Sequence, residues 1–205
     1  MILVSAEAIN RKAPYKVIQV DDMSVRFVTQ MGVRYIVGFT PDAFIFDENG
    51  YEFYIINESE PAKQDPLLYD TIVAIVENLF HNTRNSAMIY ICAPDNHQQA
   101  VRARMFNMWF ERADDKQEYT LQTYDSHDDG EDYYYGLILR RDNPDHDRLI
   151  NIFLDFLQDF WFPSKKKATS VCWGSFLCRK RRNRIKKYCD AWVTTRRRNI
   201  SRRLT

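Results

Sequence analysis

The sequence predicts an α+β domain in which an antiparallel sheet packs with three helices, in the order ββββ-α-β-α-ββ-α, followed by a basic C-terminal tail. Three observations carry that prediction. Four short apolar runs with strand-like alternation precede any helical pattern, as in strands joined directly to one another. Three later stretches repeat apolar residues at helical spacing. The third observation is a division of charge near Pro163. Residues 163–205 hold 15 Lys/Arg and one acid, Asp190. The whole chain has 29 basic and 28 acidic residues, so the remainder holds 14 and 27. A net charge of +1 is therefore +14 in the tail against −13 before it. This sets an N-terminal lead over 1–14, a domain over 15–162 and a tail over 163–205 that reads as disordered or loosely helical.

Taken in order, Tyr15 to Val20 and Ser24 to Thr29 alternate as strands, and Val33 to Phe39 returns after the turn Gln30-Met31-Gly32. Asp47-Glu48-Asn49-Gly50 marks the next turn, since Asn-Gly tolerates positive φ. Tyr51 to Asn57 completes a four-stranded meander. Asp65 can cap a first helix, Pro66 to His81, whose stripe is Leu68, Ile72, Ile75, Val76 and Leu79. His81 meets the negative end of that helix dipole. Met88 to Cys92 is an apolar run suited to a strand covered on both faces. Pro94 stops it, and Asp95 or Asn96 can cap a second helix, Asn96 to Ala113. There Val101, Met105, Met108 and Trp109 form one stripe, widened by Phe106 and Phe110. Glu118 to Tyr124 and Tyr133 to Arg140 form a hairpin, joined by the acidic loop Asp125 to Asp132. That loop fails the calcium pattern, because His127 and Gly136 stand where two ligands are needed. Asn143-Pro144 opens a third helix to Phe160, with Leu149, Ile152, Phe153, Phe156, Leu157 and Phe160 as its stripe.

Tyr90-Ile91-Cys92, Arg102-x-Arg104-x-Phe106-x-x-Trp109-Phe110, and Leu137-Ile138-Leu139-Arg140 with Asp142-Asn143-Pro144 resemble a family of small uncharacterised bacterial proteins, a domain of unknown function. The resemblance covers about Tyr15 to Phe160 and is most specific in its second half. It implies this element order and a bacterial cytoplasmic setting. It brings no activity, cofactor or catalytic residue.

A hydrophobic content of 45% and an aromatic content of 14% mean a packed core. The N-terminal apolar run is too short for a signal peptide and no run approaches 18 residues, so a cytoplasmic protein without a membrane span is expected. No cofactor motif occurs. The tail cysteines Cys172, Cys178 and Cys189 have neither a CxxC pair nor a tail histidine, so no metal site is expected. The reading that results is a non-catalytic binding module with a protein or nucleic-acid partner. Its candidate binding residues are Arg102, Arg104, Trp109, Arg140 and Arg141, with Phe110 beside them. In the tail, Arg179, Lys180, Arg181, Arg182, Arg184, Lys186 and Lys187 are candidates for polyanion contact, interleaved with Trp173, Phe176, Tyr188 and Trp192. Three other roles for the tail stand open: an amphipathic segment on an acidic partner or lipid, a cover for the acidic domain, or an appended out-of-frame extension. The alternative for the domain is a hydrolase or nuclease-like enzyme using Asp95, His97 and Arg102 in the 92–102 loop. A Cys92–His97 pair is conceivable there, although a buried structural thiol is the commoner case.

Overall fold

The computed structural model describes residues 2–42, 45–46, 49–59, 65–92, 97–128 and 131–161. Met1–Phe156 forms one compact unit; Leu157–Thr205 is a second, of which only the end of the last helix is described. The tail, the boundary expected near Pro163 and the tip of the acidic loop lie outside the described residues.

Seven strands form one sheet: β1 (Val17–Asp21), β2 (Ser24–Val28), β3 (Arg34–Pro41), β4 (Gly50–Asn57), β5 (Ala87–Cys92), β6 (Tyr119–Asp128) and β7 (Glu131–Arg140). Their spatial order is β1-β2-β3-β4-β5-β7-β6. The first four are the expected meander, paired antiparallel. β5 joins β4 in parallel, because α2 (Pro66–Asn82) carries the chain back along the sheet between them. β7 and then β6 continue antiparallel. The class is α+β, as the sequence predicts. β5 sits between β4 and β7 and is buried at Ala87, Met88, Ile89, Tyr90 and Cys92, so both of its faces are covered.

Strand alternation assigns residues to two faces. Met88 and Tyr90 share the first face with Ile138 and Gly136, their partners on β7. This face packs on Ile72, Ile75 and Leu79 of α2 and on Ala103 and Trp109 of α3 (Gln99–Arg112). Ala87 and Ile89 point the other way, paired with Leu139 and Leu137, all four buried. α4 (His146–Trp161) lies on that second face. Its first residue bonds Thr120, the strand partner of Leu139, and its Leu149 and Phe153 are buried. The three long helices therefore divide between the faces.

Asp65 caps α2 as expected, accepting from the Leu67 amide at 3.0 Å, and also accepts from the Tyr15 hydroxyl at 2.7 Å. The chain before β1 is ordered. It forms α1 (Ala6–Ile9), buries Leu3, Val4 and Ile9, and is tied to α2 by the Ser5 amide on Asn78 Oδ1 at 2.8 Å. One turn of helix is too short to leave a periodic signal. The hairpin is longer than expected, with pairs running out to His127↔Asp132 and Asp128↔Glu131, so most of the acidic stretch is strand. Asn49 adopts φ 61, as its Asn-Gly signature anticipated.

α3 is rotated from the expected stripe. Val101 and Met108 face outward at 54% and 43% exposure, while Gln99, Ala103 and Trp109 are buried. Phe106 decides this rotation: it stacks on Tyr90 of β5 at 4.5 Å and 24° and meets Trp109 edge-on at 5.4 Å. Two aromatic rings bury more apolar area than Val101 and Met108 could.

Candidate functional site

On the first face, α2 and α3 straddle the sheet without filling the space between them. Phe53, Met88 and Ile138 form the floor, from β4, β5 and β7. Ile72, Val73, Val76 and Phe80 of α2 form one wall; Phe106, Trp109 and Phe110 of α3 form the other. Tyr119 closes one end, and Ala113, Asp115 and Lys116 lie where the chain leaves α3. The cavity measures about 80 Å³. Several waters would fit, but the walls offer almost no hydrogen-bond partners. Left empty, such a space forfeits about 2 kcal/mol of packing.

The rings are held in place. Phe106 stands edge-on to Phe53 at 5.8 Å, Trp109 packs near Tyr69 at 6.3 Å, and Phe80 lies against Tyr119 at 5.2 Å. Tyr90 supports Phe106 from below, and its hydroxyl donates to Asn107 Oδ1 at 3.2 Å. Burial raises the Tyr90 phenol well above its ordinary pKa. At the rim, Glu77 pairs with Lys12 at 3.0 Å and Lys116 with Glu111 at 2.8 Å. Glu77 and Lys116 are thus each balanced by a partner, while Asp115 adds a carboxylate at the mouth.

The sequence-predicted residues fall in different places. Trp109 and Phe110 line the cavity, Trp109 being 8% exposed, so it faces the interior. Arg102 is half-buried near Cys92 and Arg104 is exposed. Arg140 is drawn into an internal network. Its guanidinium binds Asp142 at 2.7 and 3.0 Å and Glu118 at 3.0 Å, and sits 5.6 Å over the Tyr119 ring. Arg84 reaches the same Asp142 at 2.5 Å, and the two guanidiniums hold that carboxyl well below the usual carboxylate range. Arg141 donates to the Tyr119 carbonyl at 3.0 Å. Both arginines thus fasten the end wall of the cavity. The seven tail candidates lie outside the described residues.

The 92–102 loop brings no catalytic set together among the described residues. Asp95 is not among them. His97 is 85% exposed, with Nδ1 4.0 Å from Glu131, whereas Cys92 is buried and its thiol is pushed up to about 11 by burial, partly offset by Arg102. Elsewhere, His146 Nε2 meets Thr120 Oγ1 at 2.9 Å and its Nδ1 meets Asp147 at 2.8 Å. These three side chains pin the start of α4 to the edge strand. Among the described residues, no group of three or more His, Cys, Asp or Glu side chains is placed to hold a metal ion. Among them too, no helix is long and apolar enough to cross a membrane.

Fold and site together define an α+β domain with an aromatic-walled apolar cavity. Residues 64–156 are similar to a family of unknown function, DUF6169, over a stretch that spans α2 through most of α4. The meander lies outside that match, yet every cavity-lining residue except Phe53 lies within it. No curated protein matches the chain. The lining residues of α2 were visible in the sequence only as ordinary core positions.

Proposed function

We propose that this chain is a non-catalytic binding module of the bacterial cytoplasm whose segment 163–205 contacts polyanions, nucleic acid among them. The charge division carries this reading: 15 Lys/Arg against one acid in 43 residues, following a net −13. Aromatic residues between the basic clusters add stacking partners. The described domain supports the same direction, because Arg140 is spent on Asp142 and Glu118 and is not presented to an outside anion.

The test is the salt dependence of duplex DNA binding by the full chain. Engaging about six phosphates makes affinity fall roughly 10³-fold between 50 and 200 mM salt. Arg181→Ala with Arg182→Ala shallows the logarithmic slope by about two and leaves the melting of the domain unchanged. DNA affinity that is flat with salt, or unchanged when Arg179 to Lys187 lose their charges, overturns the reading.

A further inference from the structure

We propose that the cavity between α2 and α3 is a binding site for a small, uncharged aromatic ring. This inference is independent of polyanion contact by the basic segment. Size and shape come first. About 80 Å³ exceeds what a single water needs but is about half of the roughly 150 Å³ that encloses benzene, so a single ring seats with one edge left in the open mouth. The walls come second. Phe106 and Trp109 meet edge-to-face at 79°, so the cavity presents both ring faces and ring edges, the two surfaces to which an inserted ring is attracted. Charge comes third. Glu77 and Lys116 at the rim are each committed to a partner, Lys12 and Glu111, and the remaining rim charge, Asp115, is a carboxylate that repels an anionic head group. An anionic guest would lose its hydration with no compensation.

The site is also held ready. Tyr119 is clamped by Arg140 and Arg141, and Phe106 is stacked on Tyr90, so a guest enters walls that are already in position. Such preorganisation favours a small ligand, which has few atoms with which to offset an ordering cost. Except for Phe53, the lining lies within the family-matched residues, whereas the outward stripe of α3 at Val101 and Met108 offers a flat face without walls.

Toluene is the probe, titrated into the full-length protein and followed by methyl NMR and thermal melting. We expect a dissociation constant of about 1 mM or tighter. The largest shifts fall on the methyls of Ile72, Met88 and Ile138, and saturation at ten times that constant raises Tm by about 4 °C. Val76→Phe fills the cavity from α2 and abolishes both effects; Ile138→Phe serves the same purpose from the sheet. Benzoate binds at least about tenfold more weakly. The proposal is overturned if toluene leaves those three methyls unmoved. It is equally overturned if folded Val76→Phe or Ile138→Phe protein responds as the wild type does, or if benzoate binds as well as toluene.

Discussion

The two faces of the sheet are packed by different rules. On the second face, Ala87, Ile89, Leu137 and Leu139 are small or branched aliphatic residues, all buried, with the rings of Phe153, Tyr135 and Phe46 set among them. Branched side chains of similar size interdigitate well and leave little room. On the first face, Phe53, Phe80, Phe106, Trp109 and Tyr119 are rigid plates meeting at steep angles, and plates so arranged cannot close every gap. The first face is held as firmly as the second while remaining incompletely filled. That combination separates a site from a core.

The largest effect should come from the filled face. Phe153→Ala removes a fully buried ring and should destabilise by about 4 kcal/mol, whereas Phe110→Ala, at the half-buried cavity wall, should cost about 1 kcal/mol. Urea unfolding of both variants checks this, and equal losses would erase the difference between the faces.

Slack on the first face is local. Gly136 sits directly under Tyr90, and a Cβ there would fall inside the Tyr90 ring, which is itself pinned between Phe106 and Asn107. Gly136→Ala should therefore cost about 3 kcal/mol by overpacking. Gly32→Ala meets open space and suffers only from its φ of +77°, at about 1 kcal/mol. Similar midpoints for the two would mean that Tyr90 can move aside.

Much of the fold was legible in the sequence because local signals agreed with global packing. α2 announced itself with Asp65-Pro66 and a single aliphatic stripe, and it folds over Pro66–Asn82 against an expected Pro66 to His81. β5 was readable because an uninterrupted apolar run suits only a strand covered on both sides. α3 was harder. Val101, Met105 and Met108 compete with Phe106 and Trp109 for the inward face, and Tyr90, a neighbour distant in sequence, decides between them. The cavity was not legible at all, since it is a volume that no residue occupies. Arg140 illustrates the same limit: an arginine at a strand end reads as a surface contact until Glu118 and Asp142 are seen around it.

Arg140 also connects the first face to pH. Asp142 ionises below its ordinary value of 3.8 in the folded chain, held down first by its hydrogen bond from Arg140. A carboxyl lowered in this way contributes stability above its unfolded pKa and loses it as pH falls through the folded one. Between about pH 5 and pH 2 the wild type should lose Tm faster than Arg140→Met, which starts a few degrees lower at pH 7. Parallel pH profiles would show that the network does not hold the end wall.

The unequal filling of the two faces is tested most directly by adding the same bulk to each. Val76→Phe places a ring in the α2–α3 cavity, and Leu139→Phe forces one into the face beneath α4. Without any ligand, Val76→Phe should keep or raise Tm by a few degrees, and Leu139→Phe should lower stability by about 2 kcal/mol. A loss for Val76→Phe as large as that for Leu139→Phe would contradict the existence of an unfilled site on the aromatic face.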